Sequence, residues 1–158
     1  MTTQNAAFSR DANYVPITTY GLTVSKDVEF NGVSGLEGDY PVFRLNGRMF
    51  IRVFVGIPED MTSSGSATLG LIFSVNGTPI SQFLDQQQIS SIGAGSFWYD
   101  NTPGVSPNNL NDVDIIGIMQ DTSLSLEYRI EDAPITGGKA TFYVIYTPLS
   151  EDANVEIL

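Results

Sequence analysis

One stretch near the C-terminal end, GGKATFYVIYTPL from Gly137 to Leu149, restricts the possible folds more than any other part of the chain. Read as a strand, it puts Thr141, Tyr143 and Ile145 on one face and Ala140, Phe142, Val144 and Tyr146 on the other. Neither face is polar enough to lie in water, so the strand needs cover on both sides and should be central in its sheet. Gly137-Gly138 and Pro148 interrupt regular structure and set its length. Leu124 to Ile130 alternates Leu124, Leu126, Tyr128 and Ile130 with Ser125, Glu127 and Arg129, a pattern for a strand with one solvated face. The intervening EDAPITGG is too short for a crossover helix, which predicts that the two strands pair antiparallel through a loose loop.

A chain of 158 residues is the size of one domain and can bury roughly 70% of its unfolded surface. Hydrophobic residues make up 42% and charged residues 16%, too apolar for disorder, and the scattered 15 glycines and 8 prolines favour many short strands and turns. The N-terminal MTTQNAAFSR has neither the basic start nor the apolar segment of a secretion signal, and no run is long and apolar enough to span a bilayer as a helix. The expectation is a soluble protein made in the cytoplasm. A formal charge of −11, from 18 acidic and 7 basic residues, repels phosphate backbones and argues against nucleic acid as a partner. With no cysteine and no histidine, disulfides, thiolate chemistry, the commonest general base and the commonest transition-metal ligand are all excluded.

Along the chain, residues 1–21 carry Phe8, Tyr14, Val15, Ile17 and Tyr20 at no regular spacing, which reads as an extended arm laid over another surface. Residues 22–158 then form the β domain. Leu22 to Phe30 alternates as a half-buried strand, broken by Lys26, and NGVSGLEGDYP follows as a loop. Asp39 to Leu45 and Arg48 to Ile57 flank Asn46-Gly47, the favoured two-residue hairpin turn, and Thr68 to Val75 and Thr78 to Leu84 flank a second such pair, Asn76-Gly77. Met49, Ile51, Val53 and Val55 share one face of their strand, and Phe50, Arg52 and Phe54 the other. A hairpin would draw Arg44, Arg48 and Arg52 together, where they meet carboxylates of this chain or of a neighbour. A further strand is expected at Val113 to Met119. About eight to ten strands suffice for two packed sheets, so the expected fold is all-β, a single-domain antiparallel β-sandwich or jelly-roll-like barrel with an extended N-terminal arm.

No constellation carries recognisable catalytic chemistry. Asp112 and Asp114, beside Asn108, Asn109 and Asn111, offer oxygen ligands but lack the spacing of a calcium loop, and no metal or cofactor is expected. No carboxylate pair stands out as acid and base, and Gly32, Gly35 and Gly38 match no phosphate loop. The chain therefore reads as a non-enzyme. Phe97, Trp98 and Tyr99 offer either a sugar platform or core and interface anchors; alternation sends Trp98 opposite to its neighbours, which favours anchors.

Three segments, AFSRDANYVPITTYGLTVSKDVEFNG, FWYDNTPG and TFYVIYTPLSEDANV, resemble small structural proteins of tailed bacteriophages. The shared features are Arg10, Asp11, Asn13, Val15, Pro16 and Ile17, then Trp98, Asp100, Thr102 and Pro103, then Tyr146, Pro148, Leu149 and Ser150. The resemblance spans nearly the whole chain and implies a virion structural protein without settling head against tail; the expected role is capsid decoration, or cement, on the outer surface of the capsid. Its partners would be the major capsid protein and further copies of itself, by analogy as a trimer, with neither nucleic acid nor membrane. The residues expected to meet partners are Phe8, Arg10, Tyr14, Val15, Ile17, Tyr20, Arg44, Arg48, Arg52 and Trp98. The alternative is a tail or fibre module that binds a host glycan or surface receptor.

Overall fold

The computed structural model describes residues 21–99, 116–118 and 123–158. Most of the expected arm, with Phe8, Arg10, Tyr14, Val15, Ile17 and Tyr20, and the Asp112 and Asp114 loop lie outside the described residues. The described residues form ten strands: β1 (Leu22–Glu29), β2 (Gly38–Asn46), β3 (Met49–Thr62), β4 (Thr68–Val75), β5 (Thr78–Gln88), β6 (Phe97–Trp98), β7 (Ile116–Ile118), β8 (Leu124–Glu131), β9 (Gly137–Pro148) and β10 (Asn154–Ile157). Every pairing is antiparallel. One sheet runs β1-β9-β3-β6, with β7 also paired to β3; the other runs β10-β2-β8-β4-β5. The all-β sandwich expected from the alternating segments is the fold.

Strand β9 is central, between β1 and β3, as its two apolar faces require. Ala140, Phe142 and Val144 point into the sandwich and are fully buried, together with Met49, Ile51, Val53 and Val55 of β3. From the opposite sheet come Phe43 and Leu45 of β2, Leu69, Leu71 and Phe73 of β4, and Leu124, Leu126, Tyr128 and Ile130 of β8. The Tyr128 ring lies at the centre. It stacks on Phe142 at 5.5 Å and on Tyr40 at 4.9 Å, and meets Phe30 edge-on at 5.7 Å. Its hydroxyl donates to the Ser34 carbonyl at 2.9 Å, so the buried phenol is satisfied. Lys26, which breaks the apolar series of β1, sits opposite Phe142 in register, and its ammonium reaches the backbone carbonyl of Leu158 where edge strands β1 and β10 approach each other.

Two expected pairings are corrected. Strands β8 and β9 do not lie side by side; the chain crosses between the sheets after Glu131, and the strands face each other through Tyr128 and Phe142. Strands β2 and β3 are likewise in different sheets, so Asn46-Gly47 is a corner and not a hairpin. The backbone shows why. At Asn76-Gly77 both residues have positive φ, 51° and 77°, the combination of a type I′ turn, and Val75 pairs with Thr78 as expected. At Asn46-Gly47 only Gly47 has positive φ. The corner is held from outside: the Arg48 N–H donates to Ser150 Oγ at 2.9 Å, and Leu149 N–H donates to the Arg48 carbonyl at 2.8 Å.

Candidate functional site

The face of the β1-β9-β3-β6 sheet turned away from the sandwich is where the chain departs most from an ordinary half-solvated sheet. Alternation along β3 sends Phe50, Arg52 and Phe54 outward, and alternation along β9 sends Thr141, Tyr143 and Ile145 the same way. Antiparallel register sets Arg52 opposite Ile145, Phe54 opposite Tyr143, and Gly56 opposite both Thr141 and Phe97. The result is a second apolar cluster of Phe54 and Ile145, both buried, packed by Phe97, Tyr99 and Tyr143. Phe54 and Tyr143 stack at 4.7 Å, and Phe97 meets Phe54 edge-on at 5.6 Å. Gly56 makes room for this: a Cβ there would lie 3.2 Å from the Phe97 ring and 3.3 Å from that of Tyr143. Beside the rings is a shallow hollow of about 230 Å³ floored by Gly56 and Thr141 and walled by Pro58, Gly95, Phe97 and Tyr143. Thr141 Oγ1 donates to Asp27 Oδ1 at 2.8 Å, which places a carboxylate at its margin. Phe50, 45% exposed, extends the apolar surface along β3. Such a face offers stacking and apolar contact with little directional hydrogen bonding.

The three arginines are not brought together. Arg44, on β2, is in the other sheet and pairs with Glu156 of β10 at 2.6 Å. Arg48 lies in the corner, where its charge helps the Ser150 hydrogen bond to hold the Asp152 carboxyl below the ordinary carboxylate range. Only Arg52 belongs to the aromatic face, half-buried opposite Ile145. The expected cluster required a β2–β3 hairpin, and it dissolves with that pairing.

Trp98 is likewise corrected as a partner-binding residue. It is 0% exposed, faces the main core opposite Val55, and its indole N–H has no partner among the described residues. Its neighbours Phe97 and Tyr99 take the outward positions, as the alternation argument requires. Of the residues expected to meet partners, Arg44, Arg48 and Arg52 thus remain at least partly accessible, while the arm residues fall outside the described part. The outward apolar cluster not read from the sequence is the set Phe54, Gly56, Tyr143 and Ile145. Its signal was present: the non-core face of β3 carries Phe50 and Phe54, and that of β9 carries Tyr143 and Ile145.

Among the described residues, no group of three or more acidic side chains is arranged to hold a metal ion. Comparisons with protein-family models, curated proteins and solved structures found no match.

Proposed function

We propose that this chain is a non-enzymatic virion structural protein, a capsid decoration or cement protein that binds the outer head lattice and stabilises it by bridging capsid subunits, assembling as a trimer. The observation that carries the reading is the outward aromatic face of the β1-β9-β3-β6 sheet. A sheet already packed on a core through one side gains nothing for its own fold by keeping Phe50 partly in water on the other, whereas an attachment surface gains by burying it. Two of the segments that resemble phage structural proteins, FWYDNTPG and TFYVIYTPLSEDANV, contribute Phe97, Tyr143 and Ile145 to this face. The charge of −11 suits a protein that must sit on a shell without adhering to packaged genome.

A cryo-electron-microscopy map of the virion tests the reading. The expected result is density for the chain at regular positions on the outside of the head, with the aromatic face turned toward the capsid or toward a neighbouring copy. Density on the tail, together with binding of the purified protein on a glycan array, would replace it with the receptor-binding alternative.

A further inference from the structure

On the opposite sheet, β10-β2-β8-β4-β5, the outward face holds a feature that the attachment reading does not use. Glu127 alternates outward from β8 between Leu126 and Tyr128, where a carboxylate would ordinarily be solvated, yet it is only 7% exposed. Ser74, also on an outward position and fully buried, donates to Glu127 Oε2 at 2.6 Å, and this is the carboxylate's one side-chain hydrogen bond among the described residues. Enclosing a carboxylate costs several kcal/mol unless a cation or several donors compensate it. The two guanidiniums of this face are engaged by other carboxylates. Arg129 feels the charge of Glu127, but its Nε and Nη2 are committed to Asp39 at 2.6 and 2.8 Å. Arg44 is taken by Glu156. These two guanidiniums thus pair with Asp39, Glu131 and Glu156 rather than with Glu127.

Glu127 lines a hollow of about 280 Å³ with Arg44, Asn76, Ser123, Ser125 and Leu158. That volume lies just below the roughly 300 to 1,000 Å³ usual for a whole small ligand, and suits the head of one side chain. Among the described residues no group of three acidic side chains is placed to hold a metal ion, and Glu127 is the one acidic side chain lining the hollow. We propose that this hollow is a docking pocket for the ammonium or guanidinium group of a lysine or arginine side chain on a partner protein, with Glu127 as the counter-ion. Ser74 orients the carboxylate by holding Oε2, and the strongly acidic chain draws basic surfaces toward it. The pocket's chemistry sets this ligand whichever particle or surface presents it, so the inference does not rest on the virion reading.

The test is an NMR titration of the full chain with Nα-acetyl-lysine methylamide and Nα-acetyl-arginine methylamide at about 0.15 M salt, where diffuse attraction to an acidic surface is screened. The uncharged norleucine analogue is the control. Saturable shifts confined to the amides around Ser74 to Gly77 and Ser123 to Glu127, with either basic probe and not with norleucine, are expected. Glu127→Gln should weaken binding about tenfold or more, as for loss of a charged hydrogen bond, while Glu59→Gln, which removes one charge from an exposed site on β3, should not. If Glu127→Gln does not fold, Ser125→Arg adds a second guanidinium to the hollow beside Arg44 and should abolish the shifts. Equal response to norleucine, or shifts spread over the surface and unchanged in the pocket variants, would overturn the proposal.

Discussion

Phe142 and Tyr128 show how single side chains set the stability of this sandwich. Phe142 is 0% exposed, comes from the central strand and stacks on Tyr128 across the two sheets, so its removal leaves a cavity that neither sheet can collapse to fill. Phe142→Ala should cost about 3 to 5 kcal/mol, read as a lowered midpoint in urea at unchanged slope. A tolerant Phe142→Ala would contradict the two-sided burial of β9. Tyr128 adds a pH signature. Burial, with Tyr40 adding to it, raises its phenol above the ordinary value of 10.0. A raised value means the unfolded chain loses this proton more readily than the native one, so the stability it contributes is complete below 10.0 and is lost as pH rises above it. Stability should therefore fall as pH rises above about 10, and the fall should be smaller in Tyr128→Phe, which also forfeits the Ser34 hydrogen bond at about 1 kcal/mol.

The two Asn-Gly turns connect elements in different ways, and glycine substitutions should separate them. Gly77 has φ +77° at the tip of the β4–β5 hairpin, and a Cβ there would meet nothing within 4 Å. Gly77→Ala should cost only the conformational penalty, about 1 to 2 kcal/mol. Gly47 has the same φ, but a Cβ would lie 2.7 Å from Ala153 Cα, because the β9–β10 connection packs over the corner between the sheets. Gly47→Ala should therefore be clearly the more damaging in equilibrium unfolding, and equal costs would argue that the corner is free to shift. Gly56 tests the outward face in the same manner. Gly56→Val would push Phe97 and Tyr143 apart while leaving the main core on the other side of β3 intact. A small loss of stability with a large loss of capsid occupancy is expected, and an unaffected occupancy would take the aromatic face out of attachment.

If the chain attaches to a capsid as proposed, the arm and the charge should act separately. Deleting residues 2–20 should leave the sandwich folded, with a dispersed NMR spectrum, and should weaken attachment to purified capsids; unchanged occupancy would remove the arm from assembly. If buried apolar contacts hold the protein and charge only steers it, raising salt should slow attachment more than it speeds release. Exposed ion pairs such as Arg44 with Glu156 are worth about 0 to 1 kcal/mol and are screened within roughly 8 Å at physiological salt, so they cannot hold a particle together alone.

Strand positions, the Asn76-Gly77 hairpin and the membership of the core follow from alternation and turn chemistry within a few residues of each site. Phe142, Val144, Leu124, Leu126 and Ile130 were assignable to one core because each strand's inward row is apolar whatever lies beside it. Alternation does not say which sheet receives the next strand. Asn46-Gly47 and the segment after Glu131 look like hairpin connections locally, and both carry the chain across the sandwich, so that the apolar inner faces of β2, β3, β8 and β9 oppose each other. The same limit hid the closure of Phe97 and Tyr143 over Gly56 and the enclosure of Glu127 on a face that period alone marks as wet. Local pattern sorts residues by face. Burial of an outward residue depends on neighbours distant in sequence, and only the packed sheets supply them.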